Sequence, residues 1–575
     1  MNNLAIARVL TQIGDLLEIK GENAFKIRAY RNAGETVAHE TASVAEMSPA
    51  ERVKLPGIGK DIAGKIGELV ETGTIRYHQD LLEEFPPTIL DLLNLQGIGP
   101  KTVARLYGAL NIRTLDELEQ AVRAGRLRDL KGFGPRKEAQ LLKTLEEQRR
   151  VAGRRLAAEA YDQAAALVAT LRERAPGAEI HIVGSLRRGC DTCGDIDILA
   201  AAETGDAAAL MAAFTEYDLV ERVLAHGQTK TSVLLWGGFQ ADLRLVPRES
   251  LGAAMQYFSG SKAHNIALRD RAVRRGLKLN EYGLYTVDGD RRIAGEDEAG
   301  IYRALDLAFV PPELRENRGE IESAQRGPLP ILVQLADLRG DLHCHTNATD
   351  GRTDIETMAL AARDAGLAYL AITDHSKSLA MANGLDEDRA LAHAAAVRRA
   401  NERLDGITLL AGIECDIRPD GSMDLADDCL AQLDIVVASV HSAFNQEPAR
   451  MTDRLLRAIE CRWVDILGHP LGRLILKREP HRADMTRVID AAADAGVAME
   501  INAQLDRRDL DDLHARRARE AGAAIVISSD AHSPAGFGAL RWGIATARRA
   551  GLVPEDVLNT RPLDAFRAAL RRHRS

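Results

Sequence analysis

The chain has 575 residues, 46% of them apolar, and its 75 Lys and Arg against 84 Asp and Glu give a formal net charge of −9. At ~100–200 residues per domain, this length predicts three or four folded domains rather than one. No stretch reaches the ~18 uncharged apolar residues of a membrane span, so we expect no membrane partner, and six cysteines without framework spacing favour the reducing cytoplasm.

The acidic balance disfavours a uniformly basic nucleic-acid binder, because Lys and Arg neutralise phosphate. The charge is uneven, however, since residues 1–150 carry 22 basic and 21 acidic groups and the acidic excess lies after them. Ten of the 15 histidines follow residue 340. These asymmetries predict parts with distinct functions.

Short helical segments separated by glycine turns make up the first 150 residues. Two glycines flanking one apolar residue recur three times, each time before a helical stretch (Gly57 and Gly59, Gly97 and Gly99, Gly132 and Gly134). N–H groups at such helix starts can hold a phosphate of a nucleic-acid backbone without reading a base. Helix corners that merely use glycine are the alternative, but basic residues follow all three turns (Lys60; Lys101; Arg136 and Lys137). We therefore expect DNA-binding hairpins.

Strand and helix patterns alternate in the rest of the chain. Residues 151–310 are predicted to be α/β, with strands EIHIV and DIDILA and further strands at about 219–225, 230–236 and 239–246. The polar, proline-bracketed stretch 311–338 is interpreted as a linker. From 339 to 575, apolar runs such as YLAITDH, DIVVASVHS and AIVISSDAH alternate with amphipathic helices. This alternation is typical of βα units around a parallel sheet, most simply a barrel.

Three carboxylates on predicted strands form the first chemical pattern. Asp195 and Asp197 lie two apart in GDIDIL, so both project from one face, and Asp242 lies in the strand QADLRLV. Such a set can hold two Mg²⁺ or Mn²⁺ ions that activate an attacking oxygen and steady a leaving pyrophosphate. A lone DxD is more often a solvated strand face, but a GSLRRG turn just upstream offers Ser185 and Arg188 to a triphosphate.

The GSLRRG turn, the DxD and YFSGSKAHNIALR at 257–269 together resemble the family X DNA polymerases, and the resemblance spans residues 1–310. It implies an all-α helix-hairpin-helix region, with a monovalent cation at the turns, followed by an α+β nucleotidyltransferase palm and a thumb-like region. It also implies that Asp195 and Asp197 bind both metals, while Asp242 helps to deprotonate the primer 3′-hydroxyl. Nucleotide-binding roles are implied for Gly184, Ser185, Arg188, Gly194, Tyr257, Phe258, Gly260, Ser261, Asn265 and Arg269.

Two features depart from the family pattern. Lys65 falls where the family has a lysine that forms a Schiff base with an abasic sugar, but Asp61 and Phe25 replace a neighbouring lysine and a histidine. Lys65 is thus a candidate lyase nucleophile in altered surroundings. A single CxxC, Cys190 and Cys193, lacks the second pair of a structural zinc site and is interpreted as loop variation.

Nine potential metal ligands lie at predicted strand ends after residue 340. His343 and His345 are two apart, so both can ligate one metal, and seven more follow (Asp350, His375, Glu414, His441, His469, Asp530 and His532). A lone histidine is more often a core or surface residue, but nine ligands exceed the needs of one ion. Barrel active sites lie at the C-terminal ends of strands.

This segment resembles the PHP family of polymerase-associated phosphoesterases. The resemblance implies a (β/α)7-like barrel with two or three Mn²⁺ or Zn²⁺ ions, which would generate hydroxide near neutral pH. Asp374 and Asn502 are interpreted as groups that support the ligands. Arg473 and Lys477 could receive DNA, although a solvated loop is an equal alternative.

The order of hairpins, nucleotidyltransferase and PHP barrel is similar to the bacterial family X polymerases as a whole. We expect a lyase-like helical domain at 1–85, further hairpins at 86–150, a catalytic domain at 151–310, a linker at 311–338 and a phosphoesterase at 339–575. The implied function is gap-filling DNA polymerisation in base excision repair, on gapped or primer-template DNA with deoxynucleoside triphosphates. It is coupled to a 3′-5′ exonuclease, AP endonuclease or 3′-phosphatase.

The alternative is a template-independent nucleotidyltransferase with a small-molecule phosphoesterase, which would need neither the hairpins nor Asn265 and Arg269. A non-enzymatic scaffold for DNA ends would predict an incomplete metal set. We expect a monomer that is cytoplasmic and nucleoid-associated.

Overall fold

The computed structural model describes residues 3–40, 43–95, 98–128, 130, 133–134, 138, 141–142, 145, 153–202, 204–236, 238–288 and 290–570. The chain divides into two units, Met1–Ala152 and Gly153–Ser575. Four residues of the expected hairpins lie outside the described residues (Gly97, Gly132, Arg136 and Lys137).

Helices form the regular structure described in the first unit. The longer helices bury apolar stripes, as where Ile62, Ile66 and Leu69 of one helix repeat at three- and four-residue spacing. Gly59 and Gly99 are the N-caps of the helices after the first two glycine turns. The helices are Asn3–Lys20, Ala24–His39, Pro49–Arg52, Lys60–Thr72, Arg76–Glu84, Pro100–Leu110 and Leu115–Arg123, with a 3-10 helix at Pro87–Asn94.

A five-stranded mixed sheet forms the centre of the palm. Its spatial order is Glu179–Ile182, Asp195–Ala201, Phe239–Val246, Lys230–Leu235 and Val220–His226. The second and third of these strands are parallel and the other pairs antiparallel. This sheet confirms the predicted strands. Helices Ala157–Arg174, Gly184–Arg187, Thr204–Thr215 and Leu251–Ser259 accompany it, with a short ladder of Arg155–Leu156 and Thr192–Cys193.

A thumb-like region follows the palm. It contains helices Lys262–Arg274, Glu298–Ala304 and Glu320–Arg326 and an antiparallel sheet of Leu277–Asn280, Gly283–Thr286 and Arg292–Ala294. The segment 311–338, which we expected to be a linker, differs from that expectation. It is folded because its apolar residues, including Leu314 and Ile321, join the thumb's core, and because Glu320 pairs with the buried His264 at 2.6 Å.

Seven parallel strands, ordered as in the chain, form a nearly closed barrel in the C-terminal region. They are Gly340–Asp341, Tyr369–Ile372, Thr408–Asp416, Ile435–Ser439, Ile466–Leu467, Ala498–Asn502 and Ile525–Ser528. An isolated parallel bridge between Cys344 and Ala531 joins the ends of the first and last strands. Every strand is buried on both faces, as parallel sheets require.

Two apolar cores surround these strands. Alternate residues such as Tyr369 and Ala371 fill the barrel interior with Phe566, and the others pack against the helices. The helices are Ile355–Asp364, Glu387–Asn401, Asp427–Leu430, Pro448–Glu460, Met485–Ala495, Asp512–Glu520, Leu540–Ala550 and Leu563–Ala569. None of the helices in the described part of the chain has the length and apolar character needed to cross a bilayer.

Candidate active sites and metal centre

Three aspartates meet on the palm sheet. Asp195 and Asp197 share one strand, and the parallel neighbour places Asp242 directly opposite Asp197. Burial, together with the negative charges of Asp195 and Asp242, raises the pKa of Asp197 to about 6. The group is therefore a carboxylate that gains from a neighbouring cation.

Lys230 pairs with Asp242 at 2.6 Å, and Gln240 donates to the same carboxylate at 3.0 Å. Burial would raise the pKa of Asp242, but these contacts outweigh it, so the pKa lies below its usual value. Among the described residues, the ligand sets whose atoms lie within 4.8 Å of one another all belong to the barrel. Sequence reasoning missed Lys230. Its pairing with Asp242 follows only from the position of its strand beside the strand of Asp242.

The GSLRRG turn lies against the aspartates. Gly184 has a φ of 68°, and a Cβ there would lie 2.2 Å from Oδ2 of Asp197, so only glycine allows this approach. Ser185 is half-buried on the helical turn that follows. The guanidinium of Arg188 donates to Glu316 and to the carbonyl of Ser259, both at 2.9 Å, while Gly194 is exposed before the strand.

A second group of expected nucleotide contacts lies where two helices meet. The rings of Tyr257 and Phe258 are perpendicular, with centroids 5.1 Å apart. Asn265 donates to the carbonyl of Tyr257 at 2.7 Å, and Gly260 leaves room for it, because a Cβ there would lie 2.4 Å from Oδ1 of Asn265. Ser261 caps the next helix, and Arg269 is exposed on it.

All nine predicted ligands of the barrel converge beyond its strand ends. They form three sets that share His345 and His375, and His469 joins them through a 2.9 Å contact with Glu414. His343 and His345 lie just after the first strand rather than within it. The sets are His345, Asp350, His375 and His532; His343, His345 and Asp530; and His375, Glu414 and His441.

Opposed charges dominate this centre. Glu414 is buried yet its pKa is held well below its usual value, because the surrounding imidazoles outweigh the effect of burial. Despite burial, Glu414 and Asp350 raise the pKa of His375 to about 10, and Glu414 and Asp416 raise the pKa of His441 to about 9. His345 differs, since burial and the neighbouring His532 and His375 lower its pKa to about 4.

The donor set fits metal ions. Several buried ligand atoms lack a partner with hydrogen-bond geometry, including Nε2 of His343, both ring nitrogens of His345, Nδ1 of His375 and Oε2 of Glu414. Buried polar atoms without partners are costly, so this arrangement is stable only if something else satisfies them. Mixed imidazole and carboxylate donors suit Zn²⁺ and Mn²⁺.

Further polar residues orient the ligands. Glu500, which sequence reasoning missed although it lies within the strand pattern VAMEIN, contacts Nδ1 of His343 at 2.8 Å and accepts from the backbone N–H of His469. Asn502 donates to Asp530 at 3.0 Å. Asp374 accepts from the backbone and hydroxyl of Thr346. Such contacts fix ligand orientation.

Lys65 lies in a polar and aromatic cluster of the first unit. Its Nζ is 2.5 Å from Asp61 and 5.4 Å from the ring centroid of Tyr77. Burial would lower the pKa of Lys65, but hydrogen bonds with Asp61 and Tyr30 raise it above the usual value. The amine is therefore protonated at neutral pH.

Five family models match successive parts of the chain. They are described as a helix-hairpin-helix domain at residues 1–75, a SAM-like helix-hairpin-helix tandem at 89–147, a DNA polymerase beta palm at 156–236, a DNA polymerase beta thumb at 254–316 and a PHP domain at 341–504. Their order matches the order in which the two candidate sites occur.

Curated relatives agree with these matches. The DNA polymerase/3′-5′ exonuclease PolX of Bacillus subtilis (strain 168) is 34% identical over 580 aligned residues, covering 100% of both chains. Probable phosphatases of Thermoanaerobacter sp. (strain X514) and Shewanella sediminis (strain HAW-EB3) are 30% and 32% identical, covering 38% and 39% of this chain and 89% of their own. The chain is an enzyme and belongs to the bacterial PolX family of DNA polymerases, which join a polymerase β-type palm and thumb to a PHP phosphoesterase domain.

Proposed function

We propose that the protein fills short gaps in duplex DNA during base excision repair. The observation that carries this proposal is the group of Asp195, Asp197 and Asp242 beside the GSLRRG turn, whose Gly184 approaches Asp197 closely. Asp195 and Asp197 would hold two Mg²⁺ or Mn²⁺ ions, and Asp242 would accept the proton of the primer 3′-hydroxyl. When bound, the ions would stabilise the charge that develops on the triphosphate.

The incoming deoxynucleoside triphosphate occupies the adjacent surface in this proposal. Gly184, Ser185, Arg188 and Gly194 hold its phosphates. Tyr257, Phe258, Gly260 and Ser261 border its sugar. Asn265 and Arg269 face the minor groove of the nascent base pair.

In this proposal, the first unit binds the phosphate backbone of DNA. No side chain caps the starts of the described helices after Gly59 and Gly99, so N–H groups there are available to phosphate. Lys60 and Lys101 are exposed beside them. We further propose that a monovalent cation binds at these turns. Gly57, Gly97, Gly132 and Gly134 also contact the DNA in this proposal. The protein acts as a cytoplasmic, nucleoid-associated monomer.

The barrel acts on DNA 3′ ends in this proposal, as a 3′-5′ exonuclease with two or three Mn²⁺ or Zn²⁺ ions. All nine converging residues hold them (His343, His345, Asp350, His375, Glu414, His441, His469, Asp530 and His532). AP endonuclease activity uses the same phosphodiester chemistry. The probable phosphatases that resemble this domain favour a second candidate, a 3′-phosphatase or small-molecule phosphatase.

Substrate choice tests the polymerase proposal. Extension of a labelled primer is measured on a one-nucleotide gap, a long template overhang and a single strand without template. We expect the gapped duplex to give the highest kcat/KM. We expect no extension of the single strand, because it has no template. Equal extension of the untemplated strand would support the template-independent alternative instead.

Three phosphorylated substrates separate the barrel's candidate activities. DNA with a 3′-hydroxyl reports exonuclease, DNA with a 3′-phosphate reports phosphatase, and p-nitrophenyl phosphate reports a small-molecule activity. We expect release of nucleotides from the first, dependent on His343. Hydrolysis of p-nitrophenyl phosphate alone would contradict action on DNA.

A further inference from the structure

A turn of the palm, residues 188–191, is bound by an arginine of the barrel. Arg508 is 1% exposed. It donates from Nη1 to the carbonyl of Cys190 and from Nη2 to the carbonyl of Gly189, both at 2.8 Å. Its Nε donates to Oγ1 of Thr546 at 3.0 Å. The planar guanidinium therefore spans two successive palm carbonyls while its own domain holds it in place.

The same turn carries a carboxylate that is paired across the two domains. Asp191 lies 2.8 Å from Nη1 of Arg473 and 3.2 Å from Nη1 of Arg508. Gly189 permits the close contact, since its φ is 67° and a Cβ there would lie 3.2 Å from Cβ of Ala545. A side chain at this position would push the barrel helix away from the turn.

A third arginine fixes the start of the turn. Arg549 donates from Nη1 to the carbonyl of Arg188 at 3.0 Å and to Glu316 at 2.9 Å, and its Nη2 lies 2.9 Å from Asp512. Glu316 in turn accepts from Nε of Arg188 at 2.9 Å. The carbonyl of Arg188 is thus bound by Arg549 of the barrel, and its guanidinium is bound by Glu316, which Arg549 also binds.

We propose that Arg508, together with Arg473 and Arg549, is a positioning residue for the polymerase reaction: the barrel holds the 188–191 turn so that Ser185 and Arg188 meet the triphosphate of the incoming nucleotide. This inference rests on the proposed nucleotide-binding role of Ser185 and Arg188. Removing Arg508 takes the guanidinium donor from the carbonyls of Gly189 and Cys190 and weakens the pairing of Asp191, so the turn shifts. Displaced groups that bind the triphosphate equally in the ground state and the transition state weaken nucleotide binding, which raises KM and leaves kcat nearly unchanged.

Steady-state filling of a one-nucleotide gap tests the proposal. For Arg508→Gln we expect KM for the nucleotide to rise about tenfold, with kcat changed less than about threefold. Arg508→Lys should lie between this variant and the unmodified protein, because an ammonium reaches one carbonyl but not both. Asp191→Asn should raise KM about threefold, and it decides the question if Arg508→Gln does not fold.

Arg541→Ala is the matched control. Arg541 pairs across the same two domains with Asp162 at 2.9 Å, but Asp162 is an exposed side chain on the palm helix Ala157–Arg174 and not part of the turn. KM should not change in this variant. If Arg508 served only to dock the two domains, Arg508→Gln would lower the active fraction, and hence the apparent kcat, while KM for the nucleotide stayed unchanged. That result would contradict the proposal.

Two outcomes separate the proposal from its premise. If Ser185→Ala and Arg188→Ala leave the nucleotide KM unchanged, the proposed nucleotide-binding role is wrong. If those variants raise KM but Arg508→Gln and Asp191→Asn do not, the nucleotide role stands and the positioning role of the barrel arginines is wrong.

Discussion

At the scale of single residues, the polymerase carboxylates differ in how strongly they hold a proton. Asp242 is ion-paired with Lys230, whereas Asp197 is half-buried beside the negative charges of Asp195 and Asp242. Protonation of Asp197 removes the charge that attracts a metal. The metal must therefore compete with a proton at Asp197 as the pH falls.

This competition predicts a pH-dependent metal requirement. With a pKa of about 6, Asp197 is mostly protonated at pH 5.5 and ionised at pH 7.5. The half-saturating Mg²⁺ concentration for primer extension should rise about fourfold at the lower pH, and excess Mg²⁺ should restore the rate. An identical Mg²⁺ requirement at both pH values would contradict this account of Asp197.

Lys65 should not support a lyase reaction at neutral pH. Its raised pKa keeps the amine protonated, and an ammonium cannot attack an abasic sugar. Borohydride trapping on abasic DNA should give no Lys65-dependent adduct at pH 7.5. Asp61→Asn, which removes the paired carboxylate, should allow a small amount of adduct to form. An adduct in the unmodified protein that Lys65→Ala abolishes would show the opposite.

At the scale of elements, hydrophobic periodicity predicted most of the catalytic unit. The palm strands are confirmed, and so are the six predicted barrel strands, such as Tyr369–Ile372 and Ile525–Ser528. The barrel strands could be predicted because buried parallel strands are nearly continuous apolar runs. The segment 311–338 could not be predicted in this way. Its polar composition conceals a few apolar residues, and only the tertiary packing of Ile321 reveals them.

Packing of this segment predicts a stability effect. Ile321 is 7% exposed in the thumb's core, so Ile321→Ala should lower the free energy of unfolding by about 3 kcal/mol. The neighbouring Glu322 is exposed, and Glu322→Ala should change it by less than about 0.5 kcal/mol. Urea unfolding followed by circular dichroism measures both. Equal, small effects would mean that the segment is a linker.

At the scale of the whole molecule, the convergence of nine candidate ligands in the barrel could be predicted because each lies in a short motif at a strand end. The contact between the two catalytic domains could not, since Arg508 and Gly189 are 319 residues apart and neither lies in a recognisable motif. The same holds for Glu500, whose role follows from its contacts with His343 and with the backbone N–H of His469. Local patterns thus predict the sites, and tertiary packing determines how they are supported.

The central claim is that one chain contains two separate catalytic centres. The most direct test follows a labelled primer on one-nucleotide-gapped DNA, measuring extension and 3′ degradation in the same two variants. Asp195→Ala should abolish extension and leave degradation, because Asp195 belongs to the palm, and His343→Ala should do the reverse. Loss of both activities in either variant, with an unchanged circular dichroism spectrum, would contradict two separate centres.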